Sequence, residues 1–183
     1  LPMANSGWGV RAKDRPLYRQ DGDTVTHRSI TGEQYGRFLI DVFEEWARHD
    51  VGDVFVQMFD TALAHWLGMD QAGLCVHAKT CGAALALEHN GDLYSCDHYV
   101  EPDYLLGNIA AGRTLLDLVA SPAQQSFGNA KLDTLPQYCL DCDVRFACNG
   151  GCPKDRFATT PEGEPGLHHL CAGYKAFFSH VNA

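Results

Sequence analysis

The strongest constraint in this sequence is its cysteine distribution: eight residues, all between Cys75 and Cys171, and none before them. They fall as Cys75-x5-Cys81-x14-Cys96 upstream and Cys139-x2-Cys142-x5-Cys148-x3-Cys152-x18-Cys171 downstream. An even count reads either as disulfides or as metal ligands. Disulfide frameworks belong mainly to small secreted chains. Here the start, Leu1-Pro2-Met3-Ala4, has neither the basic region nor the apolar run of a signal peptide. No Asn-x-Ser/Thr sequon occurs, and 45% of the residues are hydrophobic, enough for an ordinary core. Metal ligation is therefore the expected use. Eight thiolates make two four-cysteine sites with none left over, and such sites suit zinc or iron–sulfur clusters. A zinc ribbon pairs two Cys-x2-Cys knuckles. This sequence has one, at Cys139 and Cys142, and its x5 and x3 gaps fit a cube-shaped cluster better. A structural two-zinc module stays as the alternative. Spacing alone leaves open which cysteines share a site: Cys139, Cys142, Cys148 and Cys152 on one centre is geometrically allowed.

Charge and hydropathy remove other classes. The formal charge is −9 without a basic cluster, so nucleic acid, whose affinity rests on phosphate neutralisation, is not an expected partner. No stretch approaches eighteen consecutive apolar residues, so no membrane span is expected, and the expected location is cytoplasmic.

The organisation changes near Gly73. Thr31-Gly32-Glu33-Gln34 is a capping box. Behind it Tyr35, Phe38, Leu39, Val42, Phe43 and Trp46 follow helical spacing, predicting an amphipathic helix that ends near His49. Val54 to Phe59 is an apolar run of strand length, the pattern of a parallel strand covered on both faces. Asp60 is placed to cap a second helix, through Leu67 and closed by Gly68. One strand makes no sheet, and the nearest candidate partners are Leu1–Met3 and Trp8–Val10. Residues 1–72 are thus expected to be the end of a larger parallel α/β sheet or barrel, with a small α+β domain that uses Trp8–Val10 as the partner strand as the alternative. Residues 73–183 are expected to be a loop-rich cluster domain, giving an α+β chain. Within it, Ala83–His89, Asn90-Gly91 and Asp92–Cys96 predict a hairpin with a type I′ turn. Thr114 and Ser121-Pro122 predict helix starts. A last helix after Cys171 carries Tyr174, Phe177, Phe178 and Val181 on one face.

The segment Tyr138-Cys139-Leu140-Asp141-Cys142-Asp143-Val144-Arg145-Phe146-Ala147-Cys148-Asn149-Gly150-Gly151-Cys152-Pro153-Lys154 resembles the SPASM region of anaerobic sulfatase-maturating enzymes, a radical-SAM family. The likeness extends to Cys75-x5-Cys81-Gly82, Asn90 through Val100, Leu106-Gly107-Asn108-Ile109 and Phe127-Gly128. It also takes in Tyr35-Gly36-x-Phe38-Leu39 through Trp46, and Val54-Phe55-Val56-Gln57. The resemblance implies two auxiliary 4Fe–4S clusters with a crossed ligand pattern. Cys75, Cys81, Cys96 and Cys152 would hold the first, and Cys139, Cys142, Cys148 and Cys171 the second. It implies that Asp97 is the base that deprotonates a substrate Cys or Ser during oxidation to formylglycine, where position alone suggests a carboxylate ending a hairpin. The implied partners are a sulfatase polypeptide and a reductant protein such as ferredoxin or flavodoxin. Other SPASM peptide maturases are the rival class.

One departure limits the analogy. The family cleaves SAM at a third 4Fe–4S cluster held by Cys-x3-Cys-x2-Cys, and this sequence has no such run. That part is expected to lie N-terminal to Leu1, so this chain alone is not expected to cleave SAM. Among the remaining candidates, Arg145 and Lys154 are placed to offset cluster charge or to make surface ion pairs. Asn149-Gly150-Gly151 should form tight turns, His98 should be an ordinary surface histidine, and Trp46 should be core. Gln57 and Asp60 would stand at the end of the buried strand, where α/β barrels place binding groups.

Overall fold

The structure is a computed structural model describing Val25, residues 29–69 and residues 73–182. The expected partner segments Leu1–Met3 and Trp8–Val10 lie outside the described residues. In chain order the elements are α1 (Gly32–His49), α2 (Gln57–Trp66), β1 (Ala86–Leu87), β2 (Asp92–Tyr94), β3 (Leu105–Asn108), α3 (Leu115–Val119), α4 (Pro122–Asp133), α5 (Gln137–Leu140), α6 (Arg145–Cys148), β4 (Ala158–Thr159), β5 (Pro165–Leu167) and α7 (Cys171–Val181). The chain packs as two compact units. One holds the described residues up to Ala78 together with those from Leu135 on; the other is Lys79–Thr134. These units do not follow the boundary expected between residues 72 and 73, because α1 packs on α7 from the far end of the sequence.

In the first unit α1 starts where the capping box places it. The Gln34 N–H donates to Thr31 Oγ1 at 3.2 Å, and the Thr31 N–H donates to Gln34 Oε1 at 2.9 Å. The helix then meets α7 backbone to backbone. A Cβ on Gly36 would stand 2.8 Å from Gly173 Cα, and a Cβ on Gly173 would stand 2.3 Å from the Gly32 carbonyl oxygen. This line of contact centres the buried stripe on Gly32, Gly36 and Leu39. Phe38 and Val42, expected on the buried face, lie to one side of the stripe and are exposed. Around the contact Phe43 packs edge-on against Phe59 and Phe177, at centroid distances of 5.2 and 6.1 Å, and Tyr35 packs edge-on against Tyr174 at 5.6 Å. Trp46 joins this core as read from the sequence, and its Nε1–H donates to the Val54 carbonyl at 2.7 Å.

The expected strand at Val54–Phe59 is not formed. Val54 and Phe55 are exposed, and α2 begins at Gln57 with Val56 as its cap, not Asp60. Period decides the outcome. Phe59, Ala62 and Trp66 recur at helical spacing and turn one face to the core, whereas the run before them meets no partner strand among the described residues. Gly68, at φ +71, closes the helix as expected. The strands β1 to β5 pair only antiparallel, so the chain is a mixed helix-and-sheet fold without a parallel sheet among the described residues.

In the second unit β1 and β2 form the expected hairpin with a different turn. Its loop is the three residues His89-Asn90-Gly91, closed by Glu88 N–H to Asp92 O at 2.8 Å and Gly91 N–H to Glu88 O at 2.9 Å. Gly91 takes the positive φ of +91. This is the three-residue alternative to a two-residue I′ turn. The strand β3 adds to β2, and Asn108 bonds the loop from behind through Asn90 O and Asp92 Oδ1. Thr114 caps α3, and Ser121 caps α4 with Pro122 at its first position, as read. No described helix is long and apolar enough to cross a membrane.

The glycine contact gives a sign test. In an open helix Gly→Ala stabilises by about 1 kcal/mol through propensity. At Gly173 a methyl meets backbone, which cannot rotate away, and overpacking of this kind costs about 1–3 kcal/mol. Gly173→Ala should therefore lower the urea midpoint; a raised midpoint would show that the helices part freely.

Candidate metal centre

Four cysteines converge in the first unit. Cys139 lies on α5, which follows the Leu135-Pro136 pair, and the Cys142 N–H closes the next turn on Cys139 O at 3.3 Å. Cys148 ends α6, and Cys171 opens α7. Their side chains line one cavity with Tyr138, Val144 and His168. Cys152 does not line it.

The electrostatics of this cavity oppose bare thiolates. Burial pushes the Cys148 thiol up to about 12, with further upward pressure from Cys171, Cys139 and Cys142. Cys171 is pushed up to about 11 by burial and by Cys139 and Cys142, with Lys175 opposing. Cys171 sits at the first position of an eleven-residue helix, where the helix dipole favours a thiolate. Burial and repulsion outweigh that help. Burial likewise raises Cys139, against the pull of Arg156. Thiols raised in this way ionise together only around a cation, since a bound metal deprotonates its thiols outright.

The sulfur spacing bears on which cation. A zinc–sulfur bond of about 2.3 Å in tetrahedral geometry puts sulfurs about 3.8 Å apart. Among the described residues, the group of three donors that all lie within 4.8 Å of one another is Cys96, Asp97 and His98; no three of the cavity sulfurs meet that limit.

The turn from Cys148 to Cys152 is the most specialised backbone in the site. Asn149, Gly150 and Gly151 all take positive φ, at 48, 71 and 64°. A Cβ at Gly150 would meet Leu135 Cδ2, and one at Gly151 would meet His168 Cδ2, each at 2.3 Å. The glycines are structural, as read. The guanidinium of Arg156 clamps the turn by donating to the carbonyls of Gly150 at 2.9 Å, Asn149 at 3.1 Å and Gly151 at 3.3 Å. Asn149 also donates to His77 O at 2.7 Å, which ties the short helical turn Cys75–His77 to this loop. Arg156, His168 and His77 are the site residues that the sequence reading missed. Nothing in the one-dimensional pattern separates them from other polar residues, because their roles come from contacts with backbone.

The other four cysteines divide between the units. Cys75, exposed, and Cys152 belong to the first; Cys81 and Cys96 belong to the second. The Cys81 N–H donates to Gly128 O at 3.0 Å, an approach that a Cβ at Gly128 would obstruct at 2.8 Å from Cys81 O. Cys96 follows β2, and its Sγ donates to Asp97 Oδ1 at 3.2 Å. Asp97 is exposed at the carboxylate and anchored through its N–H to Ala84 O at 3.0 Å. His98 is exposed, as expected, and Arg145 is exposed at the cavity edge. Lys154 lies in the turn Pro153–Asp155. Gln57 and Asp60 stand in the first turn of α2 instead of at a strand end, and the Gln57 side chain donates to Gly73 O at 2.9 Å.

Comparison with known proteins places this geometry in a class. Residues 75–143 match the family model of SPASM, an iron–sulfur cluster-binding domain. More particularly, the chain is a relative of the anaerobic sulfatase-maturating enzymes. It is 52% identical over 84% of its length to the serine-type enzyme of Bacteroides thetaiotaomicron, and 34% identical over 92% to that of Klebsiella pneumoniae. It spans 36% and 40% of those two proteins. A solved structure described as native anSMEcpe with bound AdoMet and Cp18Cys peptide superposes on 92% of this chain with a TM-score of 0.73 at 27% identity, and the chain covers 45% of it.

The raised thiols fix a pH dependence. A thiol whose folded pKa lies above its unfolded value of about 8.5 stabilises the fold below that value and loses its contribution as pH rises toward the folded pKa. The metal-free chain should therefore lose stability from about pH 9 upward, through the values near 11 and 12 of Cys171 and Cys148. Urea midpoints measured from pH 7 to 11 check this. A flat profile would show that the cavity does not bury the thiols.

Proposed function

We propose that this chain is the auxiliary-cluster portion of an anaerobic sulfatase-maturating enzyme, a radical-SAM oxidoreductase that converts a sulfatase residue to formylglycine. The observation that carries the reading is the single cavity lined by Cys139, Cys142, Cys148 and Cys171, within a chain 52% identical to a serine-type sulfatase maturase. These four residues would hold one 4Fe–4S cluster. Cys75, Cys81, Cys96 and Cys152 would hold another, a partition supported by the absence of Cys152 from the lining of the first cavity. The relatives align well beyond the SPASM match, which supports assigning residues before Cys75 to the end of their radical-SAM portion.

In the proposed reaction the substrate side chain loses one hydrogen atom, one proton and one electron. A third 4Fe–4S cluster with SAM would supply the chemistry that removes the hydrogen atom. Its Cys-x3-Cys-x2-Cys ligands are not in this sequence and are assigned to the remaining length of the relatives. Asp97 takes the proton. Its carboxylate is exposed to an incoming peptide while its backbone is held beside the ligand Cys96. An auxiliary cluster held in part by Cys96 would supply a one-electron acceptor. Chain residues do the rest: Arg156 and the left-handed turn fix Cys148 and Cys152, and α7 presents Cys171. A sulfatase peptide is the proposed substrate, and ferredoxin or flavodoxin the proposed electron partner, in the cytoplasm. Identity of 52% and 34% with serine-type enzymes, against 27% with the cysteine-type enzyme of Clostridium perfringens, favours a serine target.

After anaerobic reconstitution the chain should hold about eight iron and eight sulfide, the content of two 4Fe–4S clusters. Cys152→Ala should lose about half while the cluster on Cys139, Cys142, Cys148 and Cys171 survives. A colourless chain with two zinc ions would sink the cluster reading, and loss of that second cluster would sink the partition. In the complete enzyme Asp97→Asn should retain clusters and SAM cleavage but lose aldehyde formation on a sulfatase peptide by about a hundredfold or more, the usual contribution of a general base. Near-normal turnover would exclude Asp97 from that role.

A further inference from the structure

The thiol cavity has a guarded mouth. Lys175 stands one helical turn after Cys171 on α7, so both point to the same side. Its Nζ lies 3.5 Å from the Tyr138 hydroxyl and 5.1 Å from that ring's centroid, on the residue that directly precedes Cys139. Tyr138, Cys142 and Lys175 line the thiol cavity on one side and a second, larger cavity on the other. The second cavity is acidic, lined by Asp141, Asp143, Glu162 and Glu164. Lys175 is therefore the cation set between a group of carboxylates and the sulfurs, and it interacts electrostatically with Cys142 and Cys171.

We propose that Lys175 is a positioning residue that raises the reduction potential of a cluster held by Cys139, Cys142, Cys148 and Cys171, by offsetting the field of the outer carboxylates. The proposal rests on the reading that these cysteines hold a 4Fe–4S cluster. Its physics is simple. Reduction adds one negative charge to a centre that is already anionic, so a fixed cation nearby favours the reduced form, and carboxylates nearby disfavour it. Arg145, which also lines the inner cavity, contributes in the same direction; Lys175 differs in having its head held against the cavity wall by Tyr138. Because Lys175 is exposed, water and salt screen its effect, which must shrink as ionic strength rises.

The test is a potentiometric titration followed by electron paramagnetic resonance, on the reconstituted chain carrying Cys81→Ala so that only the cavity cluster reports. Lys175→Gln should move the midpoint to a more negative potential. Lys175→Met, which keeps an apolar stem over Tyr138, should move it equally, and Lys175→Arg should stay near the parent. The Gln shift should narrow in high salt. An unchanged midpoint in both neutral variants, or an equal fall in the Arg variant, overturns the role of Lys175. Absence of a four-iron signal from the parent with Cys81→Ala, with iron content near zero, overturns the cluster reading and the proposal together. Iron content separates the two failures.

Discussion

Four thiols in one largely apolar cavity repel one another as soon as more than one ionises, and the surrounding structure is arranged around that constraint. Without a metal, burial holds Cys139, Cys148 and Cys171 in their protonated forms. Loaded, the group must accept several negative charges at once. The means of doing so are local. The N-terminus of α7 faces Cys171, the Arg156 guanidinium lies near Cys139, and Lys175 stands at the mouth. None of these overcomes burial in the metal-free state. In the proposed loaded state each would stabilise the charge that a cluster brings.

The turn Asn149-Gly150-Gly151 solves a problem of direction. Cys148 points into the cavity and Cys152, four residues on, does not line it. Three successive left-handed residues redirect the chain over that short distance, and Cβ atoms at the two glycines would collide with Leu135 and His168. An arrangement of this kind is costly for most side chains. Arg156 holds it by donating to three carbonyls at once.

The legible parts of this sequence were those with a local physical signature. The capping boxes at Thr31 and Thr114, the Ser121-Pro122 start and the aromatic stripe of α7 are set within a few residues, and each forms where the pattern places it. The run Val54–Phe59 misled because a short apolar stretch has no period of its own; Phe59 belongs to the helical series that follows it. The hairpin was visible in Asn90-Gly91, but its loop length was not. That length depends on Asn108, seventeen residues beyond Gly91, bonding the loop from behind. Count and spacing singled out Cys139, Cys142, Cys148 and Cys171, which the fold brings to one cavity. Arg156 and His168 were not legible, because each acts on backbone or cavity surface brought near by folding.

The contact of α1 with α7 links the two ends of the first unit to the metal site. Cys171 is the first residue of α7, and Gly173, two residues on, is where α1 touches it backbone to backbone. Helix position and ligand position are therefore one variable. A shift of α7 along α1 would carry the Cys171 sulfur with it and change the cavity that Cys139, Cys142 and Cys148 share. The aromatic packing of Phe43 and Phe59 against Phe177, one turn further along the same face of α7, opposes such a shift. The Cys171 sulfur, twenty-three residues beyond Cys148 in the sequence, is thus located in the cavity by helix packing, and the absence of side chains at Gly32, Gly36 and Gly173 lets the two helices approach that closely.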